Sequence, residues 1–191
     1  MNLQSTVVAR IAMLSALVVV LDYAMKFSGF KIPFPWLPFL KFDFTGIPIM
    51  LSVLMIGLNA GAATSMIAFL AIFARSGKIV EASMKALAEF STVLGFYLGN
   101  KVLKGESKLS RALSYSLGCG TRIIIMFIFT IPVFTLYYNM PLRVAFAISP
   151  MVAIFNLIHG FLSMFGGNLL YEAIKRRVPS LVSEKNEDRN S

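Results

Sequence analysis

"PWLPFLKFDFTGIP", residues 35–48, joins two apolar stretches, yet it carries three prolines, a tryptophan, three phenylalanines and the pair Lys41 and Asp43. Pro33, Pro35 and Pro38 stiffen the backbone in extended geometry. Leu40, Phe42 and Phe44 then alternate with Lys41, Asp43 and Thr45, the period of a half-buried strand. Thr45-Gly46-Ile47-Pro48 reads as a helix start, with Thr45 as cap and a proline in the first turn. The expectation is an ordered loop with an aromatic face turned to the flanking segments and a polar face turned to water. Such a loop suits a lid over a ligand pocket. An interfacial aromatic belt would account for Trp36 but leaves the alternating Lys41 and Asp43 unexplained.

The flanks set the surroundings of this loop. Of 191 residues 57% are hydrophobic, above the 45–50% typical of soluble domains. One small core cannot hide that excess, because a domain of this size leaves roughly a third of its unfolded-chain surface exposed. Lipid is the more economical solvent. In that setting the net charge of +9 reads as cytoplasmic loop charge and not as a nucleic-acid footprint.

A helical crossing needs about 20 mostly apolar residues. Six candidates follow, at 7–25, 46–59, 60–74, 79–103, 113–137 and 144–174. The second and third are short, and their joint at Gly57-Leu58-Asn59-Ala60-Gly61 reads either as a tight hairpin or as one bent helix. The expected fold class is an all-α membrane protein of six transmembrane helices, with an ordered extracellular lid loop between helices 1 and 2. It forms one domain over 1–178, followed by a disordered cytoplasmic tail at 179–191. No cleavage motif precedes Asp22 and Lys26, so the first apolar run reads as a retained span. Lys101, Lys104, Lys108 and Arg111 lie in the fourth connection, and Lys175, Arg176 and Arg177 follow the last helix. By the positive-inside bias this side, with both termini, is cytoplasmic and the lid loop faces outward.

Charges at membrane depth are costly and point to function. Glu81, Lys85 and Glu89 share one face of the fourth helix, either as an ion-pair ladder or, for Glu89, as part of a ligand site or buried network. Arg122 follows Gly118-Cys119-Gly120-Thr121, read as a kink, and either snorkels to the cytoplasmic face or joins a site. Asn156 and His159, at i and i+3, aim an amide and an imidazole at one patch of the bundle interior. Their donors and acceptors suit a neutral heterocycle, and interhelical hydrogen bonding is the alternative. Ala12-x-x-x-Ala16, Gly57-x-x-x-Gly61 and Gly95-x-x-x-Gly99 are small-residue pairs that let helices approach closely.

Cys119 and His159 are the only cysteine and histidine. No thiolate or histidine metal site and no disulfide framework is therefore expected. There is no nucleophile–base motif, and the phosphate-loop spacing is wrong at Gly95-x-x-x-Gly99-Asn100-Lys101. The chain reads as a non-enzyme without a cofactor.

The stretch 33–48 resembles the first-loop signature of the substrate-binding S components of energy-coupling factor (ECF) vitamin transporters. It is most similar to the riboflavin-specific branch, whose loop reads P-x-x-P-x-L-x-x-D-F-S-D-I-P. "FNLIHGFLSMFGGNLLYEAIKRRVPSL", 155–181, is similar to that branch's last helix, where Phe-Asn-x-x-Lys-Gly leads to Leu-Tyr-Lys-Arg. Ala12 and Ala16 stand where the family docks on its membrane-embedded T component. The chain departs at Gly46, where the loop has Asp, and at His159, where riboflavin binders have a Lys on the isoalloxazine ring. Met126 lies near the register of an Asn in the fifth helix, and the third helix lacks a Lys-Asn pair.

The resemblance implies capture of a vitamin, foremost riboflavin or a related flavin, outside the cell. It also implies delivery with a T component and two cytoplasmic ATPases in the cell membrane. Trp36, Phe42 and Phe44 would supply apolar and stacking area beside Asp43 and Thr45 of the loop motif. Glu89, Asn156 and His159 would supply hydrogen bonds. Alternatives are an S component for pyridoxine, folate or a hydroxymethylpyrimidine-like vitamin, or a stand-alone carrier or channel.

Overall fold

The computed structural model describes residues 3–103 and 107–179. Six helices and one hairpin follow in order: α1 (Leu3–Phe27), β1 (Ile32–Phe34), β2 (Leu37–Phe42), α2 (Gly46–Met55), α3 (Leu58–Ser76), α4 (Ile79–Leu103), α5 (Lys108–Pro132) and α6 (Leu142–Arg177). A π-helical turn, Val133–Tyr137, extends α5. The expected tail lies, beyond Pro179, outside the described residues.

Four helical stretches are long and apolar enough to cross a membrane: Gln4–Phe27, Leu58–Ser76, Lys108–Tyr137 and Leu142–Arg177. The six spans read from the sequence therefore reduce to four by this measure. At ten residues α2 rises only about 15 Å, and α4 has the length but carries Lys85 and Glu89 within it.

The bundle packs through small residues. A Cβ at Gly95 would meet Thr121 Oγ1 at 2.5 Å and the Leu117 carbonyl at 2.6 Å, and one at Gly99 would meet the Ser114 backbone at 2.8 Å. The Gly95-x-x-x-Gly99 face of α4 thus sits directly on α5. Gly118 likewise packs against Met164, and α5 runs through 118–121 as unbroken helix where a kink was expected. The main core joins Val18, Ile49, Met50, Val53, Val93, Phe96 and Met164. α5 begins at Lys108, earlier than the apolar run, because the Ser107 hydroxyl accepts from the Ser110 amide at 3.1 Å and caps it.

The hairpin closes one end of the bundle. Ile32 pairs with Phe42 and Pro33 with Lys41, and Pro35-Trp36 makes the turn. Phe34 and Leu37 are buried in a second core with Phe134, Ala145, Val152 and Phe155. Each fully buried side chain of this kind contributes about 2–3 kcal/mol, an upper value because the unfolded chain is itself partly collapsed. The loop at 35–48 is thus ordered, as the alternation implies, and seated on the C-terminal end of α5 and the first half of α6.

Residues 46–76 form two helices and not one bent helix, because Gly57 takes φ 141° and ψ −176°. That conformation is open only to glycine. A Cβ there would meet nothing within 4 Å, so the constraint is in the backbone alone. Gly57→Ala is expected to cost about 1–3 kcal/mol in reversible SDS unfolding from mixed micelles. Gly120→Ala, equally open but helical, should be neutral or slightly stabilising.

Candidate functional site

Asp43 is the residue on which the lid end converges. The period-two alternation holds as far as Phe42 and then inverts, because β2 stops there. Asp43 and Thr45 are buried and Phe44 is 45% exposed, opposite to the expected aromatic-in, polar-out order. The physical reason is local. The Asp43 carboxylate accepts from the Thr45 hydroxyl at 2.6 Å and from its amide at 3.2 Å, a tight turn that draws both side chains inward. Thr45 still precedes α2, but its hydroxyl serves Asp43 and does not cap the helix.

Cations hold this carboxylate from two sides. Lys85 Nζ of α4 lies 2.7 Å from Asp43 Oδ1 and 3.2 Å from Glu89 Oε1. Lys31 reaches Asp43 Oδ2 at 3.6 Å and Asp22 of α1 at 2.6 Å, and Arg75 of α3 also pairs with Asp22, at 2.7 Å. Burial alone would raise the Asp43 pKa. Lys85, His159 and Lys31 outweigh it and hold the carboxyl well below the usual carboxylate range.

Deeper in the bundle, Glu89 and Arg122 form a pair in which both side chains are 1% exposed, with Nη1 and Oε1 3.2 Å apart. Arg122 does not snorkel. Its Nε donates to Asn156 Oδ1 at 3.0 Å and its Nη1 to Thr92 Oγ1 at 3.0 Å. Asn156 is fixed in turn by donating to the Val152 carbonyl. Ser163 donates to the other Glu89 oxygen at 3.2 Å. Glu81 is no part of this network and pairs with Lys78 on the surface.

His159 lies between the two layers. Its Nε2 is 3.1 Å from the Asp43 carbonyl. Lys85 Nζ lies 3.4 Å from the same nitrogen; a carbonyl only accepts and an ammonium only donates, so the two contacts ask opposite roles of Nε2. Nδ1 is buried without a hydrogen-bond partner. Phe42 of the lid and Phe155 cover the ring, with centroids 5.7 and 5.3 Å from it and 4.8 Å from each other.

Of the expected site residues, Phe42, Asp43, Thr45, Glu89, Asn156 and His159 come together. Trp36 and Phe44 do not: Trp36 is 61% exposed at the hairpin turn, edge-on to Phe34, and the Phe44 amide faces the Met25 sulfur. Ala12 and Ala16 are exposed on the outer face of α1, beside Met13 and Leu17. Asp22, Lys31, Lys85, Thr92 and Ser163 join the cluster without having been singled out as site residues, and Arg122, for which snorkelling and a site were both open, points into it. The signal for Lys85 and Arg122 was their depth in otherwise apolar helices. Among the described residues no group of three His, Cys, Asp or Glu side chains gathers to hold a metal ion.

Gly46 is explained by the same cluster. A Cβ at this position would overlap Glu89 Oε2 and Ser163 Oγ. An Asp at 46, as in the loop signature, would contest the space that the α4 carboxylate fills.

A groove of about 920 Å³ between α5 and α6 shares no residue with this network and opens toward the other end of the bundle. A second cavity between α5 and α6, beside Asn156 and Thr130 and lined by no hairpin residue, measures about 10 Å³, room for about one water molecule. The polar convergence, and not cavity size, marks the site.

No protein-family model matches the sequence, and no curated protein does. Among solved structures the chain is similar to the S component of a bacterial ECF transporter, with a TM-score of 0.74 and 26% sequence identity. The match covers 91% of this chain and 97% of that one. The fold is S-component-like and, with its apolar helices, that of a membrane protein. The neighbour is a transporter component and not an enzyme.

Two measurements test the network. Arg122→Met leaves Glu89 with Lys85 as its one cation and should cost about 3 kcal/mol in mixed-micelle unfolding, most of it recovered by adding Glu89→Leu. Additive losses in the double variant would mean that the pair is not coupled. For Asp43 the depressed pKa means that its stabilisation is complete above the unfolded carboxylate value, about 4. It is lost only as the pH falls below that value. The stability gap between wild type and Asp43→Asn, about 3 kcal/mol, should therefore stay constant from pH 8 to 5.

Proposed function

We propose that the chain is the substrate-binding S component of an ECF-type vitamin transporter, a six-helix protein of the cell membrane with both termini in the cytoplasm. It captures riboflavin or a related flavin from outside beneath the 32–45 hairpin. The observation that carries this reading is the hairpin seated by Phe42 and Asp43 on His159, Lys85 and Glu89, in a fold like that of an S component.

Binding replaces contacts that the lid makes with the bundle. Substrate entry lifts Phe42 from Phe155 and His159, and the flat ring of a flavin takes over that aromatic contact. The buried Nδ1 of His159, which has no hydrogen-bond partner in the protein, meets a polar edge of the ring, and Asn156 and Glu89 hold the orientation on either side. Reclosure of Asp43 onto Lys85 then shuts the site. Nothing in the chain transfers a group or hydrolyses a nucleotide. Reorientation and release are driven by two cytoplasmic ATPases through a T component docked on the Ala12 and Ala16 face of α1.

A second reading is another vitamin: when the hairpin lifts, Asp43 leaves Lys85, and a substrate carboxylate, as in folate, takes its place, which pyridoxine or a hydroxymethylpyrimidine cannot do.

Trp36, the only tryptophan, reports on the hairpin. In protein purified free of flavin, riboflavin should quench its fluorescence saturably at nanomolar concentration, about 12 kcal/mol of binding. Silence up to tens of micromolar would remove the flavin reading and leave the fold untouched. A saturable response to folate in the same titration would establish the carboxylate reading instead.

A further inference from the structure

The groove between α5 and α6 is built differently at its two ends. On α5 its floor is a row of small side chains, Ala112, Ser116 and Cys119, and on α6 its wall is Leu157, Phe161 and Phe165. The polar groups beside it are already engaged: Asn168 donates to the Tyr115 hydroxyl at 3.1 Å, and Cys119 Sγ lies 3.7 Å from the Leu157 carbonyl. What remains open along the groove is apolar, with Phe161 and Phe165 stacked 5.8 Å apart and each about half exposed.

Its mouth is cationic. Lys108 and Arg111 at the start of α5 face Arg176 at the end of α6, and all three are exposed. Among the described residues none of them forms a salt bridge. Glu172 is the only acid in the lining. From Lys108 to Cys119 the helix rises roughly 17 Å, close to the depth of one leaflet, half of the ~30 Å hydrocarbon core.

We propose that this groove binds one anionic phospholipid of the bilayer, its phosphate held by Lys108, Arg111 and Arg176 and one acyl chain lying against Phe161, Phe165 and Leu157. Three arguments select this occupant. The length matches a single leaflet, the α6 wall of Leu157, Phe161 and Phe165 is apolar, and the cations sit only at the mouth, where a headgroup would lie. Lys175 and Arg177 belong to the same basic run but do not line the groove, so they provide an internal control.

The test is native mass spectrometry of the full chain released from detergent, after incubation with dioleoyl phosphatidylglycerol or dioleoyl phosphatidylcholine. Wild type should retain one phosphatidylglycerol, in preference to phosphatidylcholine by more than about tenfold. Arg111→Gln with Arg176→Gln should bring the two lipids near parity, whereas Lys175→Gln with Arg177→Gln should keep the preference. Ala112→Trp, at an exposed position, fills the groove without changing charge and should abolish retention of either lipid. Equal retention of both lipids by wild type overturns the proposal, as does the same loss of preference in both double variants. A change of oligomeric state in Ala112→Trp also overturns it, since the occupant would then be a second copy of the chain.

Discussion

Glu89 and Arg122 impose the constraint around which the lid half of the molecule is arranged. Either charge alone in the bundle interior would cost several kcal/mol, and the attraction between them repays that only if the remaining donors and acceptors are also met. The surroundings supply them: Thr92 and Asn156 on the guanidinium, Ser163 and Lys85 on the carboxylate. The pair also dictates where side chains are missing. Gly46 leaves room for Glu89, and a Cβ at Gly160 would lie 3.1 Å from Arg122 Cδ. Two glycines distant in sequence thus answer to one ion pair.

The lid is held by two kinds of contact with different consequences. Phe34 and Leu37 supply most of the holding energy but little positional information, since apolar burial is non-directional. The contact of Asp43 with Lys85 does the reverse. Its attraction is largely offset by the desolvation it requires, and on opening both groups recover their hydration. A buried ion pair of this kind fixes where the hairpin lands while adding little to the cost of lifting it. That combination fits a lid better than a larger apolar seal would.

How much of this was legible in the sequence follows from which forces are local. Helix α4 was read with its observed ends because apolar periodicity and flanking charge are local signals. That residues 35–48 form an ordered loop was read from its prolines and alternation, but the pairing of 32–34 with 37–42 into a hairpin was not. The inversion at Asp43 was not, because the strand period says nothing about a carboxylate that turns back on Thr45 and finds Lys85, 42 residues away. Arg122 looked able to snorkel because its helix begins among basic residues. Only the packing of α4 and α6 against it shows that its partners lie inward. Gly46 read as a departure from a motif, and its cause, the Glu89 carboxylate, sits on another helix. Residues whose roles depend on one element were readable, and those that answer a charge on another element were not.

Helix α1 joins the lid to the outer surface. Its inner face buries Leu14, Val18 and Met25 together with Asp22, which takes Lys31 from the lid connection and Arg75 from α3. Its outer face exposes Ala12, Ala16, Met13 and Val20. Moving the lid connection therefore changes the charge balance at Asp22, and moving α1 changes the anchor of Lys31, which also reaches Asp43. A ligand under the lid and a partner on the outer face would act on this one helix. If each favours a different arrangement of it, their binding free energies are linked by the same amount in both directions. The physical carrier of that linkage is the chain of contacts from Asp43 through Lys31 to Asp22, the ionic path on this face of the bundle between the lid and α1.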